Sequence, residues 1–179
     1  MAKVGGLTNR GLNMTLTTRP AKARDASEMA ALLNAVISAG GTTAHGRPFT
    51  PDRMLHHYIQ PDELVSCTVA ERSGEIVGFQ SLAWPRQEGD PFPDGWAIIA
   101  TFAKIGQTGG GIGKALFEVT RTAADRAGVR TIDATIRADN VGGLRYYSRI
   151  GFTDYDRLIN VPLSDGTKVD RIRKRFDLK

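Results

Sequence analysis

A single cysteine, Cys67, in a chain of 179 residues excludes an internal disulfide framework and fits a reducing compartment. It sits in the alternating run Leu64 to Ala70 with no histidine nearby in sequence, so a small buried thiol is expected there, not a nucleophile. No stretch approaches the roughly 20 apolar residues that a membrane span requires. The first 13 residues lack an apolar signal-peptide core, and Gly5, Gly6, Asn9 and Gly11 make residues 1–13 a loose tail. Cytoplasm is the expected location, with no membrane partner. Internal repeats and linkers are also missing, so residues 14–179 are expected to form one domain.

Metal-ligand spacing is absent too. His56 and His57 are adjacent, diverge on a helix and have no i, i+4 companion, so no metal is expected. Net charge is +5, with Arg171, Arg173, Lys174 and Arg175 crowded after Lys168. No interleaved aromatics or groove-reading motif accompany them, and no nucleic-acid partner is expected. That tail alternates, with Val169, Arg171, Arg173 and Arg175 on one side, as a charged edge strand would. The remaining composition, 41% hydrophobic and 24% charged, is ordinary for a globular protein.

The periodicity predicts an α/β domain with a mixed sheet. Met14 to Arg19 alternates as a first strand. Asp25-Ala26-Ser27-Glu28 reads as a capping box opening a helix with Met29, Leu32, Leu33, Val36 and Ile37 on its apolar face. Gly40-Gly41 ends it, and a loop with His45, Arg47 and Pro48 leads to Thr50-Pro51, the start of a short helix to about Ile59. Leu64–Glu71 and Glu75–Trp84 are strands turning at Ser73-Gly74. Arg86 to Gly95 is loop. Trp96 to Ile105 is a strand apolar enough for burial on both faces. A helix with Ile112, Leu116, Val119, Ala123 and Ala127 on one stripe follows. Then come a strand from Thr131 to Arg137 and a helix capped by Asn140 and ended by Gly151. Phe152–Val161 and Lys168–Leu178 are strands that close the sheet. Trp84 and Trp96 belong either to the core or to a pocket wall.

The most informative segment is Gln107-Thr108-Gly109-Gly110-Gly111-Ile112-Gly113-Lys114. Four glycines in five positions stand between a strand and a helix start. Glycines clear side chains from main-chain N–H groups, and a helix start leaves donors unpaired at the positive end of its dipole. This is an anion cradle. A P-loop fails because Thr108 and Ala115 stand where Gly and Ser or Thr are needed. A dinucleotide fingerprint fails because Gly113 comes one residue early.

Gly111-Ile112-Gly113-Lys114-Ala115-Leu116 resembles the acyl-coenzyme A pyrophosphate loop of the Gcn5-related N-acetyltransferases. Asn140-Val141-Gly142-Gly143-Leu144-Arg145-Tyr146-Tyr147-Ser148-Arg149-Ile150-Gly151-Phe152 is similar to that family's next motif. The loop layout also resembles the phosphinothricin and amino-acid acetyltransferase branch. The resemblance implies a single-domain, mostly antiparallel sheet flanked by about four helices, acetyl-coenzyme A as co-substrate, a small-molecule amine as acceptor, and a homodimer. It also implies that backbone groups around Phe102 and Ala103 meet the pantetheine arm. Thr108, Gly109, Gly110, Gly111, Ile112, Gly113 and Lys114 then take the pyrophosphate, with Lys114 either adding charge or simply solvated. Asn140 either caps its helix or touches the cofactor as well, and Gly143 leaves room for the cofactor chain.

Tyr147 is the implied general acid for the departing thiolate, sharing a helical face with Asn140 and Gly143. Tyr146 points about 100° away and is the packing tyrosine. Two departures stand out. Thr108 replaces the family's usual Arg or Gln, and Ile98 stands where many members place a glutamate base. Asp94, Glu88, His45 or a water chain is left to act as base, with Asp94 the catalytic candidate. A non-catalytic acyl-coenzyme A module and a protein or peptide N-acetyltransferase are the alternatives.

Overall fold

The computed structural model describes residues 15–86, 92–107 and 109–179, so the expected 1–13 tail, Met14, Glu88 and Thr108 lie outside the described residues. Seven strands form one sheet: β1 (Leu16–Pro20), β2 (Leu64–Arg72), β3 (Glu75–Ala83), β4 (Trp96–Ala103), β5 (Thr131–Arg137), β6 (Thr153–Pro162) and β7 (Lys168–Asp177). Their spatial order is β1-β2-β3-β4-β5-β7-β6, antiparallel throughout except for β4 against β5. The helices are α1 (Ala26–Ala39), α2 (Pro51–Met54, continued by a π turn over Leu55–Ile59), α3 (Ile112–Ala127) and α4 (Val141–Arg149). The expected mixed α/β architecture is present.

Local signals act where the chemistry is local. Ser73 (φ 55°) and Gly74 (φ 79°) make the tight β2–β3 turn. Thr50 accepts from the Arg53 N–H at 3.1 Å, with Pro51 in the first turn of α2. The expected capping box at Asp25 does not form. Arg19 claims the Asp25 carboxylate with bonds of 2.7 and 2.9 Å, and the Lys22 N–H donates to it at 2.7 Å. Glu28 instead accepts the Ile76 N–H at 2.6 Å, tying α1 to β3. A bidentate charge-assisted pair outcompetes a cap bond.

The sheet separates two apolar layers. Met29, Leu33, Met54 and Phe79 pack beneath α1 and α2, while Phe117, Ile132, Tyr147 and Phe152 pack beneath α3 and α4. The buried face of α3 is Ile112, Leu116, Phe117, Thr120 and Ala124, and Val119 is 37% exposed. The expected stripe is therefore rotated, because Phe117 fits against Phe152 and Phe176 (centroids 5.5 and 5.2 Å), a larger apolar contact than Val119 and Ala123 offer. The expected charged edge strand is a second correction. β7 lies inside the sheet and β6 is the edge. Its cations are matched by acids from both neighbours: Arg173 meets Asp133 (3.5 Å) and Asp156 (3.7 Å), and Lys174 pairs with Asp154.

One feature of the sheet positions the candidate site. β4 pairs with β5 only over Trp96–Ile98 against Thr131–Asp133. Beyond Ile98 the two strands part, although β4 continues to Ala103 and β5 to Arg137. The expected burial of β4 on both faces fails there, and Ala100 to Ala103 are only half-buried.

Candidate active site

β4 is hydrogen-bonded to β3 along Ile98–Ala103, and beyond Ile98 its other edge faces the gap without a strand partner among the described residues. Phe102 and Ala103 lie on that free edge. The gap is a slot that leaves main-chain groups free to pair with an extended strand-like group.

The cradle closes one end of the slot. Gly111 precedes α3 with φ 78°, a left-handed conformation that other residues adopt at a cost of roughly 1–2 kcal/mol. Among the described residues no side chain caps this helix start, and the first N–H with a partner in its own helix is that of Ala115, to the Gly111 carbonyl at 2.9 Å. The donors of Ile112, Gly113 and Lys114 are the helix's orphans. A Cβ at Gly109 or Gly111 would meet nothing within 4 Å, so the space before these donors is open. The cradle fits a diphosphate. Ile112 contributes only its backbone, since its side chain is buried with Val77 and Leu116. Lys114 is exposed.

A residue that motif reading passed over supports this loop. Arg72, at the end of β2, donates to the Gly110 carbonyl (3.2 Å) and to the Gln107 side-chain oxygen (3.4 Å). It brings a guanidinium to a loop that lacks the family's usual Arg or Gln. Nothing in the local spacing of residues 107–114 signals a residue on another strand.

The α4 motif meets the cradle through two tyrosines with separate tasks. The Tyr146 hydroxyl donates to the Gly113 carbonyl at 2.9 Å and accepts from Gln80 Nε2 at 3.2 Å. Tyr146 thus does more than pack, because it locks α4 onto the start of α3. The Tyr147 hydroxyl shares a 2.9 Å hydrogen bond with Thr101 Oγ1, on the strand that borders the slot. Burial holds both phenols protonated, Tyr146 pushed up to about 12 and Tyr147 well above its ordinary range. Asn140 accepts the Gly143 N–H at 2.9 Å as the α4 cap, and its Nδ2 donates to the Thr42 carbonyl at 2.9 Å. The smallness of Gly143 serves that cap: a Cβ there would stand 2.7 Å from Asn140 Nδ2.

The loop between α1 and α2 bridges the parted strands. Arg137 donates to the Thr43 carbonyl at 3.3 Å, and Asn34 makes a reciprocal pair with the Phe49 backbone at 2.7 and 2.9 Å. Beneath it lies a cavity of about 200 Å³ lined by Thr43, His45, Gly46, Arg137, Ser164 and Asp165 among others. Arg137 pairs across the sheet with Arg171, whose pKa is lowered by burial and by the Arg137 charge. Arg137 has Asp139 as partner, whereas the buried Arg171 Nε has no hydrogen bond among the described residues.

Other candidates are not brought here. Asp94 is exposed at the far end of β4, where its carbonyl accepts from Arg130. A turn at Asp94-Gly95 and then five steps of strand from Trp96, about 17 Å, separate it from Thr101. Cys67 is buried and its thiol is pushed up to about 12, the state of an inert core cysteine. His57 belongs to an aromatic cluster with His45, Phe49 and Tyr58, while His56 is exposed. Trp96 packs on Tyr155 and Phe92, and Trp84 joins the layer under α4.

Comparison with known proteins agrees with this geometry. Residues 33–152 match the model of the family described as acetyltransferase (GNAT) family. A candidate phosphinothricin acetyltransferase of Bacillus subtilis (strain 168), YwnH, is 25% identical over 165 residues, which is 92% of this chain and 96% of that relative. Among solved structures, an N-acetyltransferase from Staphylococcus aureus Mu50 superposes with a TM-score of 0.79 at 23% identity, over 92% of this chain and 99% of the other. A candidate acetyltransferase from Salmonella typhimurium, yncA, solved with its cofactor acetyl-CoA, gives 0.74 at 20% identity over 92% and 94%. These two structural likenesses establish the fold.

Proposed function

The chain belongs to the GNAT family of acetyl-CoA-dependent N-acetyltransferases, and from that premise we propose that it acetylates the primary amine of a small acceptor that also carries an anionic group, an amino acid of the phosphinothricin type, with Tyr147 as general acid. The observation that carries this reading is the gap between β4 and β5, with the cradle at one end and a cavity of about 200 Å³ on the loop side. That volume is below the range of drug-sized pockets and suits an acceptor the size of an amino acid. Arg137 lines that cavity, bonded to Asp139 and within reach of the charge of Asp165, and Arg171 is its register partner on the next strand; these two guanidiniums are what the site offers to an acceptor anion. The loop bonded to Asn140 and Arg137 narrows the site against a peptide chain.

Acetyl-coenzyme A, when bound, supplies an already activated thioester. The protein's own contributions are then positioning and proton transfer. The orphan N–H groups of Ile112, Gly113 and Lys114 hold the diphosphate, and the free edge of β4 holds the amide-bearing arm. Thr101 keeps the Tyr147 hydroxyl beside the slot, where the phenol, protonated at every physiological pH, supplies a proton to the departing sulfur.

The test is free-thiol release from acetyl-coenzyme A in the presence of an amine panel: phosphinothricin, neutral and acidic amino acids, polyamines and N-terminal peptides. Acceptors with both an amine and an anion are expected to turn over best. Equal turnover of polyamines removes the anion argument. Coenzyme A binding without turnover of any amine supports a non-catalytic binding module instead.

A further inference from the structure

An aliphatic amine is an ammonium at neutral pH, with a pKa of about 10, and has no lone pair to attack a carbonyl until a proton leaves. The groups nearest in sequence logic do not serve. Asp94 is remote and Ile98 is apolar. Asp133, the register neighbour of Ile98, is fully buried, with Tyr155 at 2.6 Å, Thr135 at 2.9 Å and Arg173 at 3.5 Å occupying its oxygens. His45 differs in each respect, being half-buried, in the wall of the acceptor cavity and supported from behind.

We propose that His45 takes the proton from the acceptor ammonium, with Tyr58 fixing its ring; this rests on the acetyltransferase reading of the site. His45 Nε2 lies 2.6 Å from the Tyr58 hydroxyl oxygen. When Nε2–H donates to that oxygen, Nδ1 keeps its lone pair. The ring is wedged edge-on by Phe49 (5.0 Å), His57 (5.6 Å) and Tyr58 (6.0 Å) and lies tilted against Phe102 on β4 (6.3 Å). Phe102 is the residue after Thr101, and successive strand residues point to opposite faces. His45 and Tyr147 therefore flank β4 from its two sides, the base on the acceptor cavity and the acid across the slot.

Burial and the neighbouring His57 and Arg53 push the His45 pKa down to about 4, so the imidazole is neutral at physiological pH but a weak base, and its proton transfer must be drawn forward by attack of the freed amine on the thioester. Arg137 and Asp165 line the same cavity, and Tyr58, pushed up by burial, stays a phenol. In the reaction, Nδ1 takes one proton from the ammonium. The freed amine forms a C–N bond at the thioester carbon, the C–S bond breaks, and sulfur takes the Tyr147 proton. The second N–H proton, lost as the amide forms, returns through water to Tyr147, and His45 passes its own to solvent. The sum is ammonium plus thioester giving amide, thiol and one proton.

The experiment is the pH profile of kcat/KM with the best acceptor of the panel, for the wild type, His45→Gln, His45→Ala and Tyr58→Phe. With a base that accepts from the ammonium, the wild-type profile is level from about pH 5 to about pH 9. His45→Gln is expected to lose about 100-fold at pH 7 and to rise about tenfold per pH unit toward the amine's own pKa, because only free amine then reacts. Added imidazole partly restores His45→Ala. Tyr58→Phe, which keeps the ring, loses several-fold. Calorimetry checks that each variant binds coenzyme A like the wild type. A wild-type profile that already rises through neutrality, or a level profile in His45→Gln, overturns the proposal while leaving the acetyltransferase reading intact. Coenzyme A binding with no turnover by the wild type overturns both.

Discussion

The Tyr146 hydroxyl donates to the Gly113 carbonyl at 2.9 Å, and the Tyr146 ring fills the space that a Cβ on Gly113 would need. Two glycine-rich motifs about 30 residues apart are thereby one unit, and a change in either is felt by the other.

Gly113→Ala is the direct probe of that unit. The added methyl overlaps a half-buried ring and must push α4 away from the start of α3. Overpacking of this kind costs roughly 1–3 kcal/mol, so thermal stability should fall and coenzyme A affinity should drop about tenfold or more. Calorimetry that finds wild-type affinity in this variant removes the coupling.

Tyr147→Phe separates chemistry from binding. The ring still packs against Phe152, and only the hydroxyl bonded to Thr101 is lost. Turnover should fall by about 100-fold while the Kd for coenzyme A stays within about twofold. An equal loss in both makes Tyr147 a packing residue.

Arg72→Ala tests the brace behind the cradle. Its two bonds to Gly110 and Gln107 are long and partly exposed, so the effect is set by loop order. Coenzyme A affinity is expected to weaken by about 3- to 10-fold, an effect on the order of 1 kcal/mol, whereas pantetheine, which lacks the diphosphate, should bind as before. Equal losses for both ligands place the effect outside the cradle.

Asp25 supplies the pH dependence of stability. The Arg19 guanidinium beside it holds its carboxyl below the usual carboxylate range. A carboxylate with a depressed native pKa stabilises fully above its unfolded value, about 4, and loses that contribution as pH falls through the native value. Asp25→Asn should cost roughly 1–3 kcal/mol at pH 7, with the gap to wild type closing at acid pH. Melting curves at pH 7 and pH 3 that differ by the same amount exclude the ion pair as the cause.

Local sequence signals mislead where a distant group intervenes. Asp25 has the spacing of a capping box, but Arg19 and Glu71 draw it into a network that local spacing does not reveal. The cations of β7 look like an edge device until Asp133, Asp154 and Asp156 arrive from two other strands. Val119 and Ala123 fit a helical stripe as well as Phe117 does, and only the rings of Phe152 and Phe176 select between them.

The order of residues was enough to predict the glycine turn that opens α3, the Asn140 and Thr50 caps and the Ser73-Gly74 turn. Each is a backbone conformation set by two to five neighbouring residues. The parting of β4 from β5, the seat of His45 against Phe102 and the Arg137–Arg171 pair were decided by the fold alone. Asn140 reaches Thr42 across 98 positions of chain, and contacts at such separations depend on pairing and packing that leave no periodic trace along the sequence.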